Sequence, residues 1–114
     1  MTELVQNLDT ATPKAERRQI TVMFCDLADS TAMSERLDPE DLGDLLTAYR
    51  QVCARSINRY GGFAARYVGD GILVYFGYPH AREHEAEDAV RAGLEIIGNL
   101  AEFNDPPLRA RIGL

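Results

Sequence analysis

Apolar positions fall into blocks whose spacing changes along the chain, and those changes mark the elements. In the run 20–25, Ile-Thr-Val-Met-Phe-Cys, nearly every residue is apolar, with β-branched and aromatic types mixed in. This predicts a strand covered on both faces and therefore central in its sheet. Asp26 ends it, and Leu27-Ala28-Asp29-Ser30-Thr31 turns into a short helix to about Leu37, with Asp29 or Ser30 as N-cap. Asp38-Pro39-Glu40-Asp41 opens a second helix: an N-cap, proline at the first helical position, and acids in the positive first turn. Leu42, Leu45, Leu46, Tyr49, Val52, Cys53, Ile57 and Tyr60 then recur at three- and four-residue steps as one core-facing stripe, which Gly61-Gly62 stops.

Two strand-like runs follow, 63–68 and 72–76, joined by Gly69-Asp70-Gly71. Glycine reaches the positive φ values that tight hairpins need, so this stretch predicts a hairpin with one carboxylate at its tip. After Gly77-Tyr78-Pro79-His80 comes a long helix with acids crowded at its start. Its predicted buried stripe is Ala86, Ala89, Val90, Leu94, Ile97 and Ala101, with Gly93 allowing close packing on the sheet. Asn104-Asp105-Pro106-Pro107 breaks that helix, and residues 108–114 alternate apolar and basic as a half-exposed strand does. Residues 1–16 are polar, lack a sustained period and contain Pro13, and read as a flexible lead-in to a domain over 17–114.

This order is the βαββαβ pattern of an α+β, ferredoxin-like layer: antiparallel strands with helices packed on the sheet. Right-handed crossovers that each skip one position give the strand order 4-1-3-2. The end of strand 1 and the tip of the strand 2–3 hairpin then share one sheet edge, which brings Asp26 and Asp70 together on neighbouring strands.

Composition narrows what such a pair can do. With 46% apolar and 26% charged residues, the chain is that of a soluble globular domain, and a net charge of −6 argues against a nucleic-acid binder or a polybasic membrane surface. The sequence shows neither a leader peptide nor a membrane segment, and is read as cytoplasmic. Cys25 and Cys53 fall on apolar faces and read as reduced core residues.

Two carboxylates a few ångströms apart repel by roughly 4 kcal/mol at an effective dielectric near 20. Protonation of one partner would relieve this, as in an acid/base dyad; bridging divalent cations is the more economical solution. Magnesium prefers one or two carboxylates plus water and phosphate oxygens, and the segment 27–31, entering a helix, offers backbone N–H groups to phosphate.

These residues carry a family resemblance. Phe24-Cys25-Asp26-Leu27-Ala28-Asp29-Ser30-Thr31, followed by Tyr67-Val68-Gly69-Asp70-Gly71, resembles the paired motifs of class III adenylate/guanylate cyclase catalytic domains. The stretches 74–80 and 86–94 resemble bacterial members in particular. The resemblance implies the nucleotide cyclase fold and conversion of ATP or GTP, ATP ahead of GTP, to the cyclic 3′,5′-monophosphate and pyrophosphate. It implies two Mg²⁺ (or Mn²⁺) ions held by Asp26, Asp70 and the Leu27 carbonyl, and a triphosphate held by Leu27, Ala28, Asp29, Ser30 and Thr31. Arg66 stands where the family has a base-reading lysine. Family sites form between two head-to-tail domains, implying a homodimer or pairing with another cyclase domain.

Family domains are longer, so the expectation is an incomplete domain, weakly active or inactive alone. The alternative is a non-catalytic relative that binds nucleotide or a regulatory partner. A diguanylate cyclase would carry Gly-Gly-Asp-Glu-Phe at the hairpin, where this chain has Val-Gly-Asp-Gly-Ile. His80 and His84 lack a third ligand and read as a solvated helix start; Arg109 and Arg111 read as the exposed face of the last strand.

Overall fold

The computed structural model describes residues 19–103 and 108–114. The expected lead-in over 1–16 and the break at 104–107 lie outside the described residues. The elements run β1 (Thr21–Leu27), α1 (Ser30–Arg36), α2 (Pro39–Arg59), β2 (Gly62–Val68), β3 (Gly71–Phe76), α3 (Glu85–Leu100) and β4 (Ala110–Gly113). Strand order is β2-β3-β1-β4, every neighbouring pair antiparallel, which is the order that the crossover argument gives.

Local chemistry accounts for most boundaries. Asp38 caps α2, its Oδ1 accepting from the Asp41 N–H at 2.8 Å, and Pro39 takes the first helical position. The β2–β3 hairpin closes through a two-residue turn, Gly69-Asp70, with Val68 paired to Gly71. Gly69 takes φ +60, a value that a side chain would resist. Gly71 is demanded by crowding: a Cβ there would stand 2.7 Å from Phe24 Cζ.

The core lies between one face of the sheet and α2 and α3. Met23, Cys25 and Leu27 of β1 and Ile72, Val74 and Phe76 of β3 face Tyr49, Val52, Cys53 and Ile57 of α2 and Ala89, Ala92, Ile96 and Leu100 of α3. Cys25 and Cys53 are free and buried as expected. Cys25 Sγ lies 3.3 Å from the Tyr49 hydroxyl and 3.8 Å from Cys53 Sγ. Contact with Cys25 and burial push the Cys53 thiol up, and burial does the same to the Tyr49 hydroxyl, so both stay protonated. Beside them Ser56 donates to Glu95 at 2.7 Å, strapping α2 to α3.

The apolar patterning misassigns two faces. The run 20–25 does not mark a strand covered on both sides: Val22 and Phe24 are 42% and 40% exposed, and β1 alternates between a core face and an open face. On α3 the predicted stripe holds at Ala89 and at the close-packed Gly93; Ala86, Val90, Leu94, Ile97 and Ala101 are exposed. The helix carries two apolar stripes, and the one with smaller residues turns inward, Gly93 letting it approach Ile112 and Met23 closely. Among the described residues no helix is long and apolar enough to cross a membrane.

Candidate active site

Strand alternation decides which side chains reach the open face. Met23, Cys25 and Leu27 point into the core, so Asp26 points away from it, half-buried. It does not end β1, as the pattern suggested, but lies inside it, paired with Arg111 of β4. In the ladder to β3, Cys25 pairs with Ile72. The next step places Asp26 beside Gly71, with Asp70 on the adjoining turn, and there the Asp26 and Asp70 carboxyls hydrogen-bond to each other.

That bond is the largest influence on Asp26 and holds its carboxyl above the ordinary carboxylate range. Desolvation and the neighbouring charge of Asp70 push the same way, while Arg111 pulls it down and a hydrogen bond to the Leu27 backbone does so too. Asp26 thus gives up its proton at a higher pH than an isolated aspartate does. It borders an open cavity of about 550 Å³, lined by Asp26, Leu27, Asp29, Ser30, Thr31, Asp70 and Arg111 among others. The structure therefore brings together the predicted residues from both motifs in a single recess. Ala28 is half-buried, and its N–H donates to the Arg109 carbonyl at 2.8 Å.

Asp29 sits at the N-cap of α1 as predicted, but without capping through its side chain. Its backbone is left-handed, φ +62, the one described non-glycine residue at positive φ. Such a conformation costs an L-residue about 1 kcal/mol. The side chain instead accepts from Arg109 Nη2 at 2.6 Å, an exposed pair across the lip of the recess. Arg66 lies outside this cavity, exposed on β2 opposite Leu73 and next to a ladder irregularity. His80 and His84 precede α3, so the spacing between them is not helical, and His84 stands 3.7 Å from Glu83.

Arg109 and Arg111 are the residues whose roles the sequence reading missed. Both are exposed, yet Arg111 lines the cavity and Arg109 grips Asp29. The signal was present: alternation places them on one face of strand 4, and the derived strand order sets that strand beside Asp26.

The donors available to a metal ion are all oxygens, from two touching carboxylates and the adjoining Leu27 carbonyl, which suits a hard divalent cation such as Mg²⁺ or Mn²⁺. Among the described residues no cluster of three or more His, Cys, Asp or Glu side chains is placed to enclose a metal. A cation at the pair would thus keep most of its coordination sphere for water or phosphate oxygens.

Comparison with known proteins gives the same direction. A model of the adenylate and guanylate cyclase catalytic domain matches residues 12–114. An adenylate cyclase of Anabaena cylindrica is 29% identical over 101 residues, covering 89% of this chain and 19% of that protein. The crystal structure of the guanylyl cyclase Cya2 superposes with a TM-score of 0.78 at 37% identity, over 86% of this chain and 53% of that one. The guanylate cyclase domain of RhGC from Catenaria anguillulae, solved in complex with GTP, gives 0.77 at 27% identity, over 82% and 53%. The chain thus spans about half the length of these solved domains and a fifth of the curated relative.

Proposed function

The chain belongs to the adenylate and guanylate cyclase catalytic domain family, and from that premise we propose that its recess is the metal- and triphosphate-binding part of a nucleotidyl cyclase site. The observation that carries this reading is the contact between the Asp26 and Asp70 carboxyls at the rim of the 27–31 segment, with Arg111 opposite Asp26. Two divalent cations bound there would supply Lewis-acid activation of the ribose 3′-hydroxyl and neutralise the departing pyrophosphate.

The chain's own part is binding and orientation. Asp26 and Asp70 would hold the cations together with the Leu27 carbonyl. Residues 29–31, entering α1, approach the phosphates through backbone N–H groups, whereas the Ala28 N–H is taken by the Arg109 carbonyl; Arg111 faces the phosphates with a fixed positive charge. The substrate is ATP or GTP; the two kinds of relative give each support.

Arg66 is assigned to base reading in a paired arrangement, because its exposed position outside the recess suits a site completed by a second cyclase domain. The open apolar face bearing Val22, Phe24 and Phe63 supports such pairing, with a second copy or with another cyclase domain. The cytoplasm, where nucleoside triphosphates are held, is the proposed setting.

Ligands that bind only the native state raise its melting temperature by mass action. Mn²⁺ with ATP or GTP should therefore shift the transition of the chain upward, and Asp26→Asn with Asp70→Asn should abolish the shift. An equal shift in the doubly substituted chain moves the site elsewhere.

A further inference from the structure

We propose that Arg50 of α2 is a positioning residue for Asp70, acting through the turn that carries it and so setting the affinity of the Asp26–Asp70 pair for a divalent cation. The inference rests on the metal-binding reading of that pair.

Arg50 Nη2 donates to the Gly69 carbonyl oxygen at 3.0 Å. That carbonyl and the Asp70 N–H belong to one planar peptide unit, so a bond that fixes the oxygen fixes the plane. With the plane held, Asp70 leaves the turn in one direction, toward Asp26. The Val68–Gly71 pair closes the turn on either side of this unit, while among the described residues nothing lies within 4 Å of the place a Gly69 Cβ would occupy, so side-chain packing does not hold it.

The same guanidinium stands over the Tyr67 ring, 5.9 Å from its centroid, so one side chain clasps both the end of β2 and the turn beyond it. The clasp has a cost that packing does not explain. Arg50 Nε is buried without a hydrogen-bond partner among the described residues. A buried donor left unmade destabilises a fold, and an apolar side chain of similar length would fill the space without stranding one. An arginine is needed for what its Nη2 does, which is to hold the Gly69 carbonyl.

The test compares the ¹⁵N-labelled 114-residue chain with Arg50→Met, which keeps length and loses the donors, and Arg50→Lys, which keeps one donor. Metal-free H^N–Hα couplings and amide exchange at Gly69 and Asp70 report the turn, Mn²⁺ titration reports the pair, and melting reports the fold. In Arg50→Met the couplings should average and the Asp70 amide exchange faster. Mn²⁺ affinity should fall about 10- to 100-fold, the range for lost outer partners of metal ligands. Melting should hold or rise, and lysine should restore part of the affinity. Unchanged couplings in folded Arg50→Met overturn the proposal. So does a loosened turn with unchanged Mn²⁺ affinity, or an affinity loss that only tracks unfolding and that lysine leaves uncorrected. If the wild-type chain takes up no Mn²⁺, the metal reading of the pair fails, and with it Arg50's part in affinity; the couplings still judge whether Arg50 holds the turn.

Discussion

Asp26 and Asp70 hydrogen-bond carboxyl to carboxyl although they come from distant parts of the chain, one inside β1 and the other at the tip of the β2–β3 hairpin. Their meeting makes folding sensitive to pH. Asp26 is held above its ordinary range in the folded chain, so the folded state binds the proton more tightly than the unfolded one. The associated stability is fully present below the unfolded carboxylate pKa and is lost as pH rises through the folded value. Asp26→Asn, which stays neutral, should thus be more stable than wild type at pH 8, the two converging below about pH 4. Urea midpoints across that range check this, and a wild-type advantage that grows with pH would refute it.

Asp29 brings a negative charge and a left-handed backbone to the lip of the recess. Asp29→Gly should relieve about 1 kcal/mol of backbone strain and lose an exposed ion pair with Arg109 worth up to about 1 kcal/mol. Stability should change little. Nucleotide affinity should rise, most at low salt, because a like charge has left the phosphate path. Titration with a fluorescent triphosphate at two ionic strengths measures it, and weaker binding would show that Asp29 serves the ligand.

Arg111 faces the same path from β4 and draws down the Asp26 carboxyl. Arg111→Met should weaken triphosphate binding about tenfold, or about 1.4 kcal/mol, as expected for one charge-assisted contact to phosphate. The Asp26 titration should move further up. Binding that is indifferent to Arg111 would leave the phosphates elsewhere in the recess.

Gly71 gives way to the Phe24 ring, so Gly71→Ala should cost about 1 kcal/mol through crowding, and Phe24→Ala in the same chain should recover much of it. A double-mutant cycle in chemical denaturation reads the coupling, and strict additivity would mean that the ring moves aside freely.

Much of this architecture was legible because local signals agreed with each other. The Asp38-Pro39 start of α2, the Gly69-Asp70 turn and the strand order all follow from short-range chemistry and handedness, and together they predict that Asp26 meets Asp70. The α3 face was not fully legible, since a helix with two apolar stripes gives no clue to which one turns inward until Gly93 is seen beneath β1 and β4. The open face of β1 misled for a related reason: Val22 and Phe24 are apolar without being covered among the described residues. Arg50 gave no signal at all, because a single arginine on a helix reads as solvated until its bond to Gly69 is known.

The most direct measurement is Mn²⁺ binding, followed by loss of the free-ion electron paramagnetic resonance signal, for wild type, Asp26→Asn, Asp70→Asn and the double variant. One shared site predicts that wild type takes up the ion, that each single change weakens it at least about tenfold, and that the second change adds little to the first. Uptake by the double variant equal to that of wild type would contradict the site.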